Sequence, residues 1–290
     1  MEKELPIWSV AVFAHNERKA IGACLESIFA QKIEAELHVY VLANGCTDGT
    51  ASEVLKLAAK WPAVRLIEIK LGDKANAWNI FVHELAPASA IYFFVDGDVR
   101  LDTDALRRLA HAIQSSPESS IASAVPGSGR HRAKYTKLII EEHGVQGNFY
   151  CISSIFVSKL RLRNIRLPVG FVREDGLVGA LAKFSLDPKT ERWNDSRVKI
   201  CSEAKFIFRS MRSWHPSDWR KYYRRRVRYS VGHFENRMWR SIWWHQGTES
   251  MPANITELYR ASGPQKLKWR GLNTLFDWLA LRRINAKRIG

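Results

Sequence analysis

Residues 91–98 read Ile91-Tyr92-Phe93-Phe94-Val95-Asp96-Gly97-Asp98, five apolar residues running straight into two carboxylates. A short apolar run rich in β-branched and aromatic residues, bounded by turn chemistry, is expected for a strand buried on both faces of a parallel sheet. Two acids at the end of such a strand repel each other unless a cation balances them. A hard divalent ion with oxygen ligands meets that need, and diphosphate oxygens can complete its shell. Gly97 lets the backbone turn between the two acids. The same tripeptide is also ordinary turn chemistry with two solvated carboxylates, so the surrounding sequence has to decide.

Working outward, apolar runs at residues 8–13 (WSVAVF), 37–42 (LHVYVL) and 64–69 read as three further strands. Between them, Ala20, Ile21, Cys24, Leu25 and Ile28 recur at helical spacing. Val54, Leu55, Leu57 and Ala58 do the same, and residues 74–85 and 104–113 read as two more helices. Strands alternating with helices of this length imply βαβ units: an α/β fold with a mainly parallel, Rossmann-like central sheet flanked by helices. Ligands of such sheets bind beyond the carboxyl ends of the strands. The turns at residues 14–17 (AHNE), 45–50 (GCTDGT) and 96–98 are therefore expected to share one crevice. Residues 115–129, rich in Ser, Pro and Gly, read as a loop dividing a donor half (about 1–115) from an acceptor half (about 116–204). From residue 205 the chain reads as a basic, Trp-rich helical extension to residue 290.

The 290 residues, 46% hydrophobic, suffice for a large core, and 26% charged residues exclude a disordered composition. The net charge of +16 calls for anionic partners: nucleic acid, an anionic membrane surface or a phosphorylated substrate. Cys24, Cys46, Cys151 and Cys201 stand far apart, without metal-ligand or redox spacing, and read as free thiols in a reducing cytosol. Residues 1–6 are charged without an apolar core, and no stretch approaches the length of a membrane span. The expectation is a cytoplasmic protein whose membrane contact, if it has one, is peripheral.

Five segments together resemble family 2 glycosyltransferases of the GT-A fold, over roughly residues 8–185. They are residues 10–17 with 21–28, residues 41–50, Gly72 to Lys74 with Asn76, Ala77 and Asn79, Asp96-Gly97-Asp98, and Arg173-Glu174-Asp175. The resemblance implies an inverting, metal-dependent transfer from a nucleoside-diphosphate sugar to a hydroxyl of a glycan or glycolipid. It implies that Ala14, Asn16, Glu17, Asn44 and Asp48 surround the nucleotide, and that Lys74 lies near it or its phosphates. Asp96 and Gly97 are expected at the ribose or sugar, Asp98 on Mn2+ or Mg2+, and Asp175 as the base that deprotonates the acceptor. Glu174 is expected to support that base, and Gly147 and Asn148 to border the acceptor. A carboxylate at Asp175 also suits the first turn of a helix, and Asp48 also suits a helix cap. His15 reads as a polar residue shaping the first turn. One departure concerns Ala43, where the family often carries an acid that contacts the base of a uridine donor; the nucleotide is left open.

In the extension, Tyr223, Val227, Val231, Phe234, Met238 and Ile242 form one apolar helical stripe ringed by arginine, with Trp239, Trp243 and Trp244 beside it. The stripe packs on the catalytic domain or lies on an anionic membrane; nucleic acid is the least favoured partner. Arg224, Arg225, Arg226 and Arg228 include candidates for gripping the donor diphosphate. The final segment, from Trp269 to Arg288, reads as a second interfacial helix or one that folds back. Two rival functions remain. A nucleotidyltransferase acting on sugar phosphates is expected to carry a glycine-rich, basic phosphate loop after the first strand, where this chain has AHNE. A non-catalytic membrane or nucleic-acid adaptor would have no need to retain Asp96, Asp98 and Asp175 together.

Overall fold

The computed structural model describes residues 4–209 and 216–289. The alternation legible in the sequence is present in order: β1 (Ile7–Ala14), α1 (Ile21–Phe29), β2 (Glu36–Asn44), α2 (Thr50–Lys60), β3 (Val64–Ile69), α3 (Lys74–Ile80) and β4 (Ile91–Asp96). One π-helical turn, Phe81–Leu85, prolongs α3 as far as the sequence pattern predicts. There follow β5 (Val99–Leu101), α4 (Ala105–Gln114), β6 (Ile121–Pro126), α5 (Arg132–Glu142), β7 (Phe149–Ser153), α6 (Ser154–Leu162), α7 (Glu174–Lys183) and β8 (Val198–Phe208). Three helices close the chain: α8 (Pro216–Gln246), α9 (Ile255–Ala261) and α10 (Asn273–Ile289).

All eight strands form one mixed sheet in the order β3-β2-β1-β4-β7-β6-β8-β5. The first four are parallel, which is why each reads as an apolar run with no alternation. Their ends are level: Phe13 faces Leu42 on one side and Asp96 on the other. The turns after β1, β2 and β4 therefore meet, as expected. β7 then runs antiparallel to β4, with Val95 opposite Phe149. The Asp96 amide donates to the Asn148 carbonyl at 3.0 Å, so this reversal carries residues 146–148 back to the end of β4.

The segment expected as a boundary loop holds β6, a strand in the middle of the sheet. Its Ile121, Ala122 and Ala124 are fully buried. Its Ala122, Ser123 and Ala124 are small, and alanine and serine mimic loop composition. β8 also carries the sheet past residue 204 to Phe208.

Two apolar layers sandwich the sheet. One gathers α1, α2 and α4 against Val10, Val12, Phe93 and Val95. The other gathers α3, α6 and α7 against Ala11, Phe13, Phe94 and Tyr150, and it continues without a break into the last three helices. Val227, Val231, Phe234 and Met238 of the stripe belong to this second layer, together with Trp239 and Trp243. The stripe thus packs on the catalytic core. α10 folds back as well, burying Ala280, Leu281 and Ile284.

Candidate active site

At the carboxyl ends of the parallel strands, close backbone contacts fix the floor of the crevice. The Gly97 amide donates to the Phe13 carbonyl at 2.8 Å. A Cβ on Gly97 would lie 3.0 Å from that oxygen and 3.3 Å from the Ala14 Cβ, so the two acids flank a residue that needs to be glycine. Gly45, at φ +59°, leaves room for Gly72, whose Cα a Cβ there would approach to 2.6 Å. His15 Nδ1 lies 2.6 Å from the Asn44 carbonyl oxygen, and the Asn44 amide donates to the carbonyls of Ala14 and Leu42. Asn16, at φ +61°, accepts from the Thr47 amide at 2.7 Å.

These bonds staple the first turn to the second. They commit the Asn44 side chain to the backbone, and His15 shapes the turn as expected. Asp48 accepts from the amides of Arg18 and Thr50 and from the Thr50 hydroxyl. Its carboxylate ties the turn at Arg18 to Thr50 at the start of α2.

At the centre stands Lys74, the first residue of α3. Its Nζ is 2.5 Å from Asp96 Oδ1 and 3.0 Å from Glu174 Oε1, and it donates to the Gly147 carbonyl at 2.9 Å. Burial pulls against its charge, but the two carboxylates outweigh that and raise its pKa. The ammonium is thereby engaged on the protein itself, tying the end of β4 to residues 147 and 174. The other Asp96 oxygen accepts from the Asn148 amide at 3.0 Å. Burial lifts Asp96 to about 6 against the pull of Lys74, with Asp98 adding to the rise.

Asp175 sits across from this pair. Its Oδ2 accepts from the Gly147 amide at 3.0 Å and its Oδ1 from the Gly176 amide at 2.7 Å. It thus satisfies a first-turn amide of α7 and reaches the crevice floor as well. A Cβ on Gly147 would lie 3.0 Å from Oδ2. Burial and the neighbouring Glu174 charge push the Asp175 carboxyl above its ordinary value, while Lys74 and the two amides oppose the rise. The fold therefore brings Lys74, Asp96, Gly147, Asn148, Glu174 and Asp175 into one connected group.

Asp98 is exposed at the mouth of the crevice. Glu17, half-buried nearby, is raised to about 7 by burial first and then by the charge of Asp98, with Asp96 adding to it. This surplus of negative charge is a place a divalent cation would relieve, so the residues fit one. Among the described residues no group of three or more His, Cys, Asp or Glu side chains is arranged to hold a metal on its own. Donor oxygens would have to supply the rest of its shell.

The structure adds a residue that the sequence reading passed over. Glu235 of α8 is fully buried. Its Oε2 accepts from the Val172 amide at 2.8 Å and its Oε1 from the Tyr259 hydroxyl at 2.6 Å. Nearby, the Val169 carbonyl accepts from the Ile255 amide at 2.8 Å, and the Val169 amide donates to the Ala253 carbonyl. The extension thus clamps the loop that leads into Arg173-Glu174-Asp175. The signal was present in the sequence: Glu235 is the one acid between Trp219 and Gln246, four residues after Val231 on the apolar stripe of a basic helix.

The family model described as Glycosyl transferase family 2 matches residues 9–172. The chain belongs to that family. The match covers the crevice floor and stops three residues short of Asp175. A search of curated proteins returned no match. Among solved structures, this family 2 chain is similar to a mannosyltransferase from Pyrobaculum calidifontis in complex with GDP-Man and Mn2+. The TM-score is 0.62 at 15% identity, covering 99% of this chain and 88% of that one. TarS from S. aureus in complex with UDP-GlcNAc gives a TM-score of 0.51 at 16% identity, covering 97% and 88%. Glucosyl-3-phosphoglycerate synthase from Mycobacterium tuberculosis, in complex with Mn2+, UDP-Glc and phosphoglyceric acid, gives 0.50 at 16%, covering 74% of each chain. At these identities the likeness shows the fold, which is the GT-A architecture that the motifs imply.

Proposed function

We propose that this family 2 glycosyltransferase moves a sugar from a nucleoside-diphosphate donor to a hydroxyl of a glycan or glycolipid, with inversion and with Asp175 as base. The observation that carries this reading is the linked group of Lys74, Asp96, Glu174 and Asp175 at the carboxyl ends of the parallel strands. A base needs a pKa near working pH and a fixed position. Asp175 has an upward-shifted carboxyl held by two amides.

In this reading the nucleotide lies over residues 14–17 and 44–48, and the sugar lies between Asp96 and Asp175. The acceptor hydroxyl enters beside Gly147 and Asn148 and gives its proton to an Asp175 oxygen as the anomeric carbon–phosphate oxygen bond breaks. Mn2+ or Mg2+ would be held by Asp98 together with the donor diphosphate, and as a Lewis acid it stabilises the departing phosphate charge. Lys74 holds Asp96 and Glu174 in place through its two ion pairs, and Glu174 in turn supports Asp175. Residues 205–290 act as an extension of the catalytic unit.

The reading places the enzyme in a reducing compartment, in keeping with four free cysteines. Among the described residues no helix is long and apolar enough to cross a membrane, so access to a lipid-borne acceptor would be from the surface. The direct test is a panel of sugar nucleotides titrated against the protein with Mn2+ or Mg2+. Absence of any donor binding would remove the reading. Asp175→Asn is expected to bind donor and lose transfer; retained transfer would remove Asp175 as base.

A further inference from the structure

With the apolar stripe of α8 buried, the opposite side of the extension is what remains for a partner. α8 and α10 lie side by side in opposite directions. Tyr223 meets Phe276 at a ring distance of 6.2 Å, and Arg226 hydrogen-bonds Asn273 and lies over the Phe276 ring. Toward the other end, Trp219, Arg220, Tyr223, Arg224 and Arg283 line a shared recess. The outer surface of this pair is basic and aromatic together. Between Trp219 and Tyr229 the chain has six Arg or Lys residues and no acid. The only acid of α10, Asp277, is buried and paired with Arg270.

Apolar side chains stand among these charges. Leu272 is 90% exposed, Leu275 59% and Trp278 44%. Leu275, Trp278 and Arg282 are spaced to share one side of α10, and the Arg282 guanidinium lies over the Trp278 ring at 5.0 Å. On α8, Arg225 lies over Tyr229 and Arg226 over Tyr222.

We propose that this outer face of α8 and α10 docks on an anionic lipid bilayer, with arginine on lipid phosphate and Leu275 and Trp278 in the interface. A single-sign charged surface matches an anionic leaflet, and Trp and Tyr settle at headgroup depth. Exposed leucines distinguish this surface from a phosphate-reading one: they gain by entering lipid, and they do nothing for a nucleic-acid backbone. The helix that carries this face also reaches the crevice wall, since a Cβ on Gly232 of α8 would lie 2.6 Å from Arg173 Cγ, next to Glu174 and Asp175. Docking here holds the active site next to acceptors carried by the bilayer. That last point rests on the proposed transfer reaction; the docking surface does not.

The experiment is co-flotation of the full chain with phosphatidylcholine vesicles and with vesicles containing phosphatidylglycerol, at low and high salt. The protein is expected to float with the anionic vesicles only, and less in high salt. Neutralising Arg282 or Arg283 to Gln should weaken partition about fivefold each. Leu275→Ser with Trp278→Ser should weaken it further while donor binding and melting temperature stay unchanged. Equal flotation with both vesicle types, or full flotation of these variants, would overturn the proposal. So would RNA binding as tight as vesicle binding and indifferent to the Leu275 and Trp278 changes. Flotation without any sugar-nucleotide binding would sink the transfer reading and leave the docking surface standing. Donor binding without flotation would do the reverse.

Discussion

Glu235 offers the sharpest test of how the extension is joined to the catalytic unit. Replacing it with Leu strands two buried groups, the Val172 amide and the Tyr259 hydroxyl, which now donate at 2.8 and 2.6 Å. Each buried polar group left without a partner costs about 1–3 kcal/mol. Relief from desolvating the carboxylate returns part of that, so Glu235→Leu is expected to lose about 2–4 kcal/mol overall. Glu235→Gln keeps the shape. Its amide oxygen can accept from Val172, and its amide NH2 can donate to the Tyr259 oxygen. Only the Tyr259 hydroxyl proton then loses its acceptor and no charge is buried, so the change should cost about 1 kcal/mol, well short of Glu235→Leu.

The two variants also separate by pH. Burial raises the Glu235 carboxyl above its ordinary 4.5, against the pull of Tyr259 and the Val172 amide. The folded state therefore holds that proton more tightly than the unfolded chain. Its stabilising contribution is complete below pH 4.5 and fades as pH climbs through the raised value. Relative to the natural protein, Glu235→Gln should thus gain ground as pH rises across this window. Urea denaturation followed by tryptophan fluorescence reports on it directly, because Trp239 and Trp243 are buried on the same helix. A loss for Gln as large as for Leu would refute the reasoning, as would a cost for Leu below about 1 kcal/mol.

Gly147→Ala would push a methyl to within 3.0 Å of Asp175 Oδ2, so transfer should fall at least tenfold, about 1.4 kcal/mol or more in barrier, with donor affinity kept; steady-state kinetics beside donor titration would show it. Lys74→Met leaves the buried Glu174 and the partly buried Asp96 without their shared cation, and about 3 kcal/mol of stability should go with it in thermal or urea unfolding. Asp98→Ala should abolish the metal dependence of donor binding, read by calorimetry with and without Mn2+, while leaving the melting temperature in place because Asp98 is exposed. Because Asp175 has to be ionised to accept a proton, kcat/KM should rise with pH on the acid side, with its midpoint above 3.8, the ordinary aspartate value; the Asp175→Asn variant would lack that limb.

The first four strands of this fold could be read from the chain because they are buried on both faces. Burial of that kind leaves an uninterrupted apolar run, so residues 8–13, 37–42, 64–69 and 91–95 announced themselves and their turns. β6 did not, since Ala122, Ser123 and Ala124 are small residues of the kind that also make loops, although they are buried in the sheet. The acids Asp96, Asp98 and Asp175 were visible as chemistry in ordered motifs. The link from Asp96 through Lys74 to Glu174, and through Gly147 to Asp175, was not, because residues 74, 96, 147 and 174 meet only when β7 reverses beside β4. Asp48 shows the converse: a motif position in the sequence, it engages one oxygen on the Arg18 amide and the other on Thr50 at the start of α2. The stripe on α8 was legible as apolar, but periodicity reports only that a face is covered, and the identity of the cover came from the packed core.

That shared core has a consequence for how the enzyme is born. The layer that begins at Ala11 and Phe13 is completed only by Ala280, Leu281 and Ile284. A ribosome adding about 5–20 residues per second needs roughly 4 to 15 seconds to travel from Phe208 to Ile284. During that interval every strand of the sheet has been made while one flank still faces water. The nascent chain therefore spends seconds as a nearly finished enzyme with an open side, and that is where a holdase chaperone would find it.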